Sequence, residues 1–170
     1  DGSAFNADDV VYSINRGKEP TSQIAVYANA VGVPKKIDDH TVEFDLPKVN
    51  PIFMEHIQPL WMMDKEWSEK NKATKPQDFK NKEEMHTALN ANGTGPFMLV
   101  KREPGIKTTW KRNPNYWGKI EGNVQEVVFT PIGNDATRSA ALISGELDFI
   151  LDPPPRDVAK LRNTAGVKVI

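Results

Sequence analysis

The chain reads as a mixed α/β protein, and two observations carry that reading. Between Val124 and Ile170 the apolar residues alternate, then shift to helical spacing at Asp135 and again at Pro155, which spells strand, helix, strand, helix, strand. Between Val33 and Leu46 two extended runs flank the polar turn Asp38-Asp39-His40, which spells a hairpin. Strand–helix–strand crossovers are right-handed and pair parallel strands, so 124–170 is expected to hold a parallel α/β sheet.

The elements follow in order. Asn6 can cap a first helix, with Asp9 in place of the usual Glu of a capping box and Phe5 and Val10 placed as a hydrophobic staple. Ala7, Val10, Val11 and Ile14 share one face, expected to pack on a sheet, and Gly17 suits the left-handed position after the last turn. Ile24, Tyr27, Ala28 and Val31 have helical spacing behind Thr21 or Ser22 as cap. In the hairpin, Val42, Phe44 and Leu46 face the core. Short helices are expected at 50–57, 64–72 and 83–91, with the apolar run Leu60-Trp61-Met62-Met63 before the second. Asn92-Gly93-Thr94-Gly95-Pro96 breaks the pattern and marks the domain boundary. Strands at 97–100 and 107–112 flank Pro104-Gly105. Then come a strand at 124–132, a helix at 135–144 closed by Gly145, a strand at 147–151, a helix from Pro155 to Asn163 with Pro at its first position, and a strand at 167–170.

Composition narrows the function. Among 170 residues, Lys and Arg number 22 and Asp and Glu 23, a net charge of −1, so phosphate-neutralising nucleic-acid binding is not expected. No apolar run reaches the ~18 residues of a membrane span. With no Cys there is no disulfide, thiol nucleophile or Cys-ligated zinc. His40, His56 and His86 have no metal-ligand spacing, and no metal or cofactor is expected. Asp38-Asp39 serves its turn, and neither a nucleophile elbow nor a phosphate-binding loop is present. No catalytic set emerges; the residues describe a scaffold that holds something.

Five stretches together carry a resemblance over nearly the whole chain. Residues 1–14, from Asp1-Gly2-Ser3-Ala4-Phe5-Asn6-Ala7 on to Asp9-Val10 and Ser13, resemble the D-G-x-x-F-x-A-x-D-V-x-x-S stretch of the extracytoplasmic solute-binding proteins of the peptide/nickel type, family 5. Asp38-Asp39-His40-Thr41-Val42 is similar to that family's D-D-x-T-V, and Gly93-Thr94-Gly95-Pro96-Phe97 to its G-T-G-P-[YF]. Arg112-Asn113-Pro114-Asn115-Tyr116-Trp117 resembles R-N-P-x-Y-W. Ala136-Thr137-Arg138, followed by Leu142, Gly145-Glu146 and Asp148, resembles A-T-R…L-x-x-G-E-x-D.

The resemblance implies a type II periplasmic-binding-protein-like fold in two lobes plus a small extra domain. In that frame the chain is an internal slice: 1–92 is most of the extra domain and 93–170 the central part of lobe one. It implies a protein, periplasmic or lipid-anchored outside the cytoplasmic membrane, that captures peptides or similar solutes and delivers them to the permease of an ABC importer, binding without turnover. A sensor domain of a transcriptional regulator is the alternative. The slice alone is expected to bind weakly and to self-associate.

Candidate ligand residues follow. Ligands sit beyond the carboxyl ends of strands in open α/β sheets, which points to Leu151 and Asp152 after the expected strand 147–151. Asp152 either receives a ligand ammonium or caps the helix at Pro155. Tyr27, Gln58 and Trp61 match stretches that approach the ligand in relatives; for Trp61 burial in the core is the competing reading. Tyr116 and Trp117 are expected to be packing residues.

Overall fold

The computed structural model describes residues 2–170, which separate into two units. The first comprises everything up to Glu103 together with Thr108–Val127; the second comprises Pro104–Lys107 and Val128–Ile170.

Helix α1 (Ala7–Gly17) begins as the sequence requires: Asn6 Oδ1 accepts the Asp8 N–H at 2.7 Å, and the Asn6 N–H donates to Asp9 Oδ2 at 2.8 Å. Phe5 stays largely exposed, so its expected staple with Val10 adds little burial. Gly17 is not the left-handed residue after the helix. It is the last helical residue, followed by Lys18 at φ −83°, and a Cβ there would stand 3.1 Å from the Ala28 Cβ. Its small size admits the next helix, α2 (Ala25–Ala30).

The chain then forms the expected hairpin, β1 (Val33–Asp38) and β2 (Thr41–Asp45), paired antiparallel with Val33 opposite Asp45 and Lys36 opposite Val42. Asp38 Oδ1 accepts the His40 N–H at 2.8 Å and tightens the turn. Lys36 bridges Asp8 and Asp39, each at 2.7 Å, and so ties α1 to the hairpin it packs on.

Ile14, Ala28, Val31 and Leu60 form the buried core, with Val10, Ile24, Phe44, Phe53, Ile57 and Met62 packed against it. Phe44 meets Phe53 edge-on at 5.4 Å, a favoured aromatic geometry. Helix α3 (Phe53–Ile57) supplies Phe53 and Ile57 to this core. Helices α4 (Lys65–Lys70) and α5 (His86–Leu89) are shorter than the sequence suggests.

Asp64 caps α4, accepting the Trp67 N–H at 2.7 Å, with Ser3 Oγ and Asn92 Nδ2 as further donors. Burial alone would raise its carboxyl pKa; the donated hydrogen bonds of Ser3, Trp67 and Asn92 outweigh it and hold the group below the usual carboxylate range. A folded pKa below the unfolded one stabilises above the unfolded value and is lost as pH falls through the folded one. Asp64→Ala is therefore expected to cost about 1 kcal/mol at pH 7. In urea titrations the gap from wild type should close as the pH drops below about 4; a gap independent of pH would contradict the assignment.

Beyond 92–96, which is irregular, β3 (Phe97–Glu103), β4 (Lys107–Arg112) and β5 (Glu126–Phe129) form a sheet in that order. Asn113 fastens the following turn: its N–H donates to Pro96 O at 2.8 Å, and its Oδ1 accepts the Asn115 N–H at 2.9 Å.

In the second unit, α6 (Asp135–Ser144) is capped by Asn134, whose Oδ1 accepts the Thr137 N–H at 2.9 Å, and ends at Gly145 with φ +79°, as the sequence predicts. Helix α7 (Pro155–Arg162) starts with its proline in the first turn. Ser139 Oγ donates to Asp157 Oδ2 at 3.0 Å and links the two helices.

Two expected strands are not formed: among the described residues 147–151 and 167–170 join no ladder, and β5 is shorter than 124–132. The predicted parallel run of three strands is therefore corrected to one strand and two helices. Alternation settles which side chains share a face; a strand also needs a neighbour in register for its N–H and C=O groups. The mixed α/β class stands.

Candidate functional site

Trp61 is the ligand candidate for which burial in the core was the competing reading. Leu60 is buried and Met62 half-buried in the core. In extended chain successive side chains point to opposite sides, so Trp61 between them is driven outward and is 84% exposed. The core reading of Trp61 is overturned. The chain on either side is anchored: Ser13 Oγ accepts the Met63 N–H at 2.7 Å and donates to Met63 O at 3.2 Å, and the Leu60 N–H donates to Ile57 O at 3.0 Å. An exposed indole on a pinned segment is an apolar platform that loses little freedom when something stacks on it.

Tyr27 lies half-exposed on α2, and α2 packs against α3. Its ring faces His56 at 6.2 Å and 54°. Gln58 closes α3, its N–H donating to Met54 O at 3.3 Å while its side chain is exposed. Tyr27 and Gln58 thus sit on two packed helices, with Trp61 three residues beyond Gln58. Tyr27 and Trp61 each present an aromatic face, and Gln58 an amide that can both donate and accept.

In the second unit Leu151 and Asp152 are both exposed. Asp152 adopts φ +48°, a left-handed conformation that Asp tolerates better than most residues. It does not cap α7: the capping position is Pro154, which has no side-chain hydrogen bond. The sequence left that alternative open, and the structure removes it. Arg138 braces this corner by donating to Ile132 O at 2.8 Å and Asp135 Oδ1 at 2.8 Å, with a longer contact to Asp152 O at 3.4 Å. The sequence reading assigned Arg138 no role of its own; its position one turn past Asn134 was the available signal.

Two other clusters are accounted for locally. Asp9, Asp64 and Glu66 lie close enough to share an ion, but Asp9 accepts the Asn6 and Lys65 N–H groups at 2.8 Å each and Asp64 serves α4. A depression on α1 is lined by Asp8, Tyr12, Arg16 and Lys65 among others. There Arg16 already donates to Ala73 O and Lys75 O, and Asp8 pairs with Lys36.

Trp117 was expected to pack, yet it is 82% exposed; its ring lies 5.3 Å from that of its neighbour Tyr116. Among the described residues no helix is long and apolar enough to cross a membrane.

The chain is similar to several known proteins, each much longer than itself. It is 26% identical to a di/tripeptide-binding protein of Pseudomonas aeruginosa, over 97% of this chain and 32% of the relative. It is 27% identical to heme-binding protein A of Haemophilus influenzae, over 98% of this chain and 32% of the relative. Among solved structures, the ABC transporter substrate-binding protein CtaP from Listeria monocytogenes superposes with a TM-score of 0.74 at 27% identity, covering 99% of this chain and 34% of that one. The chain spans about a third of the length of the curated relatives it matches. Residues 1–170 match, end to end, the family described as bacterial extracellular solute-binding proteins, family 5 middle, and this chain belongs to that family.

Proposed function

We propose that this chain supplies one side of the ligand cleft of a two-lobed binding protein. That protein works outside the cytoplasmic membrane, periplasmic or lipid-anchored, and hands peptides to the permease of an ABC importer without chemical turnover. Residues 1–92 belong to its small extra domain and 93–170 to lobe one. The observation that carries the site is Trp61, a large apolar side chain in the open between the buried Leu60 and the hydrogen-bonded Met63. Tyr27 adds a second aromatic surface to the first unit, and Gln58 pairs with a peptide amide. In the second unit, taken by itself, Leu151 and Asp152 offer an apolar contact and a carboxylate for a ligand ammonium. Peptides are favoured because these chemistries are those of a dipeptide and because one relative is named for di- and tripeptides. The relatives described above lend nothing to the sensor alternative.

The reading also accounts for the exposed Val128, Phe129, Phe149 and Ile170: this is apolar surface that the rest of a longer protein covers, and the isolated chain self-associates through it. Trp61→Ala in the longer protein is expected to weaken peptide binding on the order of tenfold in calorimetric titrations, with unchanged circular dichroism. Unchanged affinity would remove Trp61 from the site.

A further inference from the structure

We propose that His56 is a positioning residue that holds α3 against α2 only in its neutral form protonated at Nε2, and that its protonation loosens the surface carrying Tyr27 and Gln58. The ligand role of that surface rests on the peptide-binding reading above; the tautomer and the release do not.

Asn50 sets the tautomer. Its Oδ1 accepts the Ile52 N–H at 3.2 Å, and its Nδ2 donates to Ala30 O at 3.0 Å. These two backbone partners fix which end of the amide is which, because a flip would set oxygen against oxygen at Ala30 and nitrogen against nitrogen at Ile52. The second proton of Nδ2 then points to His56 Nδ1, 2.9 Å away. A donor facing Nδ1 requires a lone pair there, so the ring proton sits on Nε2.

One side chain thereby joins three places: the end of α2 at Ala30, the entry to α3 at Ile52, and the last turn of α3 at His56. Protonation at Nδ1 places N–H against N–H, and no flip of Asn50 repairs it without breaking the two backbone bonds. The groups facing the imidazole are the titratable phenol-bearing ring of Tyr27 from α2 and the neutral amide of Asn50 from the segment before α3. Neither contact is a carboxylate that would compensate a charged imidazole. The link therefore exists only while Nδ1 carries no proton, and protonation of the ring removes it.

The test is long-range proton–nitrogen NMR of the unaltered chain from pH 8 to pH 5, with His56→Asn as a control; the two results that would overturn the proposal are read from the unaltered chain alone. At pH 8 the His56 Nδ1 should carry no proton. As His56 titrates, the Asn50 side-chain amide and Tyr27 ring resonances should move with the same midpoint. In His56→Asn, which keeps an acceptor near the Nδ1 position but cannot titrate, both should stay flat. Once His56 is protonated, the Asn50 amide protons of the unaltered chain should exchange roughly fivefold faster than in His56→Asn at the same pH, the fold-change produced by losing one ordinary hydrogen bond. A proton on Nδ1 at pH 8, or an Asn50 amide indifferent to the titration of His56, would overturn the proposal. The readout needs no ligand, so its failure leaves the peptide reading standing, and failure of peptide binding leaves this one standing.

Discussion

Gly32→Ala is expected to destabilise the chain by more than about 3 kcal/mol. Gly32 lies between α2 and β1 at φ +77°, where a side chain is strained whatever the space around it; for an L-residue this conformation costs roughly 1–2 kcal/mol. The space is also closed. An added Cβ would stand 2.2 Å from Asp45 O, 3.0 Å from Asp45 C and 3.2 Å from Leu46 Cα. All three are backbone atoms at the end of β2, so no side-chain rotation relieves the overlap, and the hairpin must separate from the segment that enters it. Gly93→Ala is the control, since a Cβ there meets nothing within 4 Å. Urea titrations of the two variants decide the matter. A Gly32→Ala midpoint within the range of the control would mean that the entry to the hairpin is not held as described.

Ile14→Ala is expected to cost about 3 kcal/mol, the middle of the range for removing a buried aliphatic side chain. Ile14 is 0% exposed and belongs to the cluster with Ala28, Val31 and Leu60. These come from α1, α2 and the segments after α2 and α3, so no single element can collapse into the space left behind. Val49, 93% exposed, provides the comparison: Val49→Ala should change stability by less than about 0.5 kcal/mol. If the two losses were equal, this cluster would not be the core of the first unit.

Local signals were legible in the sequence. The cap of α1, the hairpin with its alternating Val42 and Phe44, Pro155 at the start of α7 and Gly145 at the end of α6 each depend on residues within a few positions of one another. What was not legible depends on partners distant in sequence. Gly17 reads as a helix terminator until Ala28 is seen against it. The runs 147–151 and 167–170 have the alternation of strands without paired neighbours. Among the site residues, the sequence leaves Trp61 open between ligand contact and core; the alternation that turns it outward becomes visible only once Leu60 and Met62 are known to be inside. Asn50 and His56 gave no signal, since each looks like an ordinary surface polar residue until the amide between them is oriented by Ala30 and Ile52.

The most direct test of the account is the mass of the small molecules that the longer protein carrying this chain releases when it is purified without added ligand and then denatured. A protein that captures peptides at a cleft bordered by Trp61, Gln58 and Tyr27 should release short peptides in near-stoichiometric amount, and Trp61→Ala should lower that amount. Release of heme, the ligand for which one relative is named, or of a metal chelate with no peptide would contradict the peptide assignment.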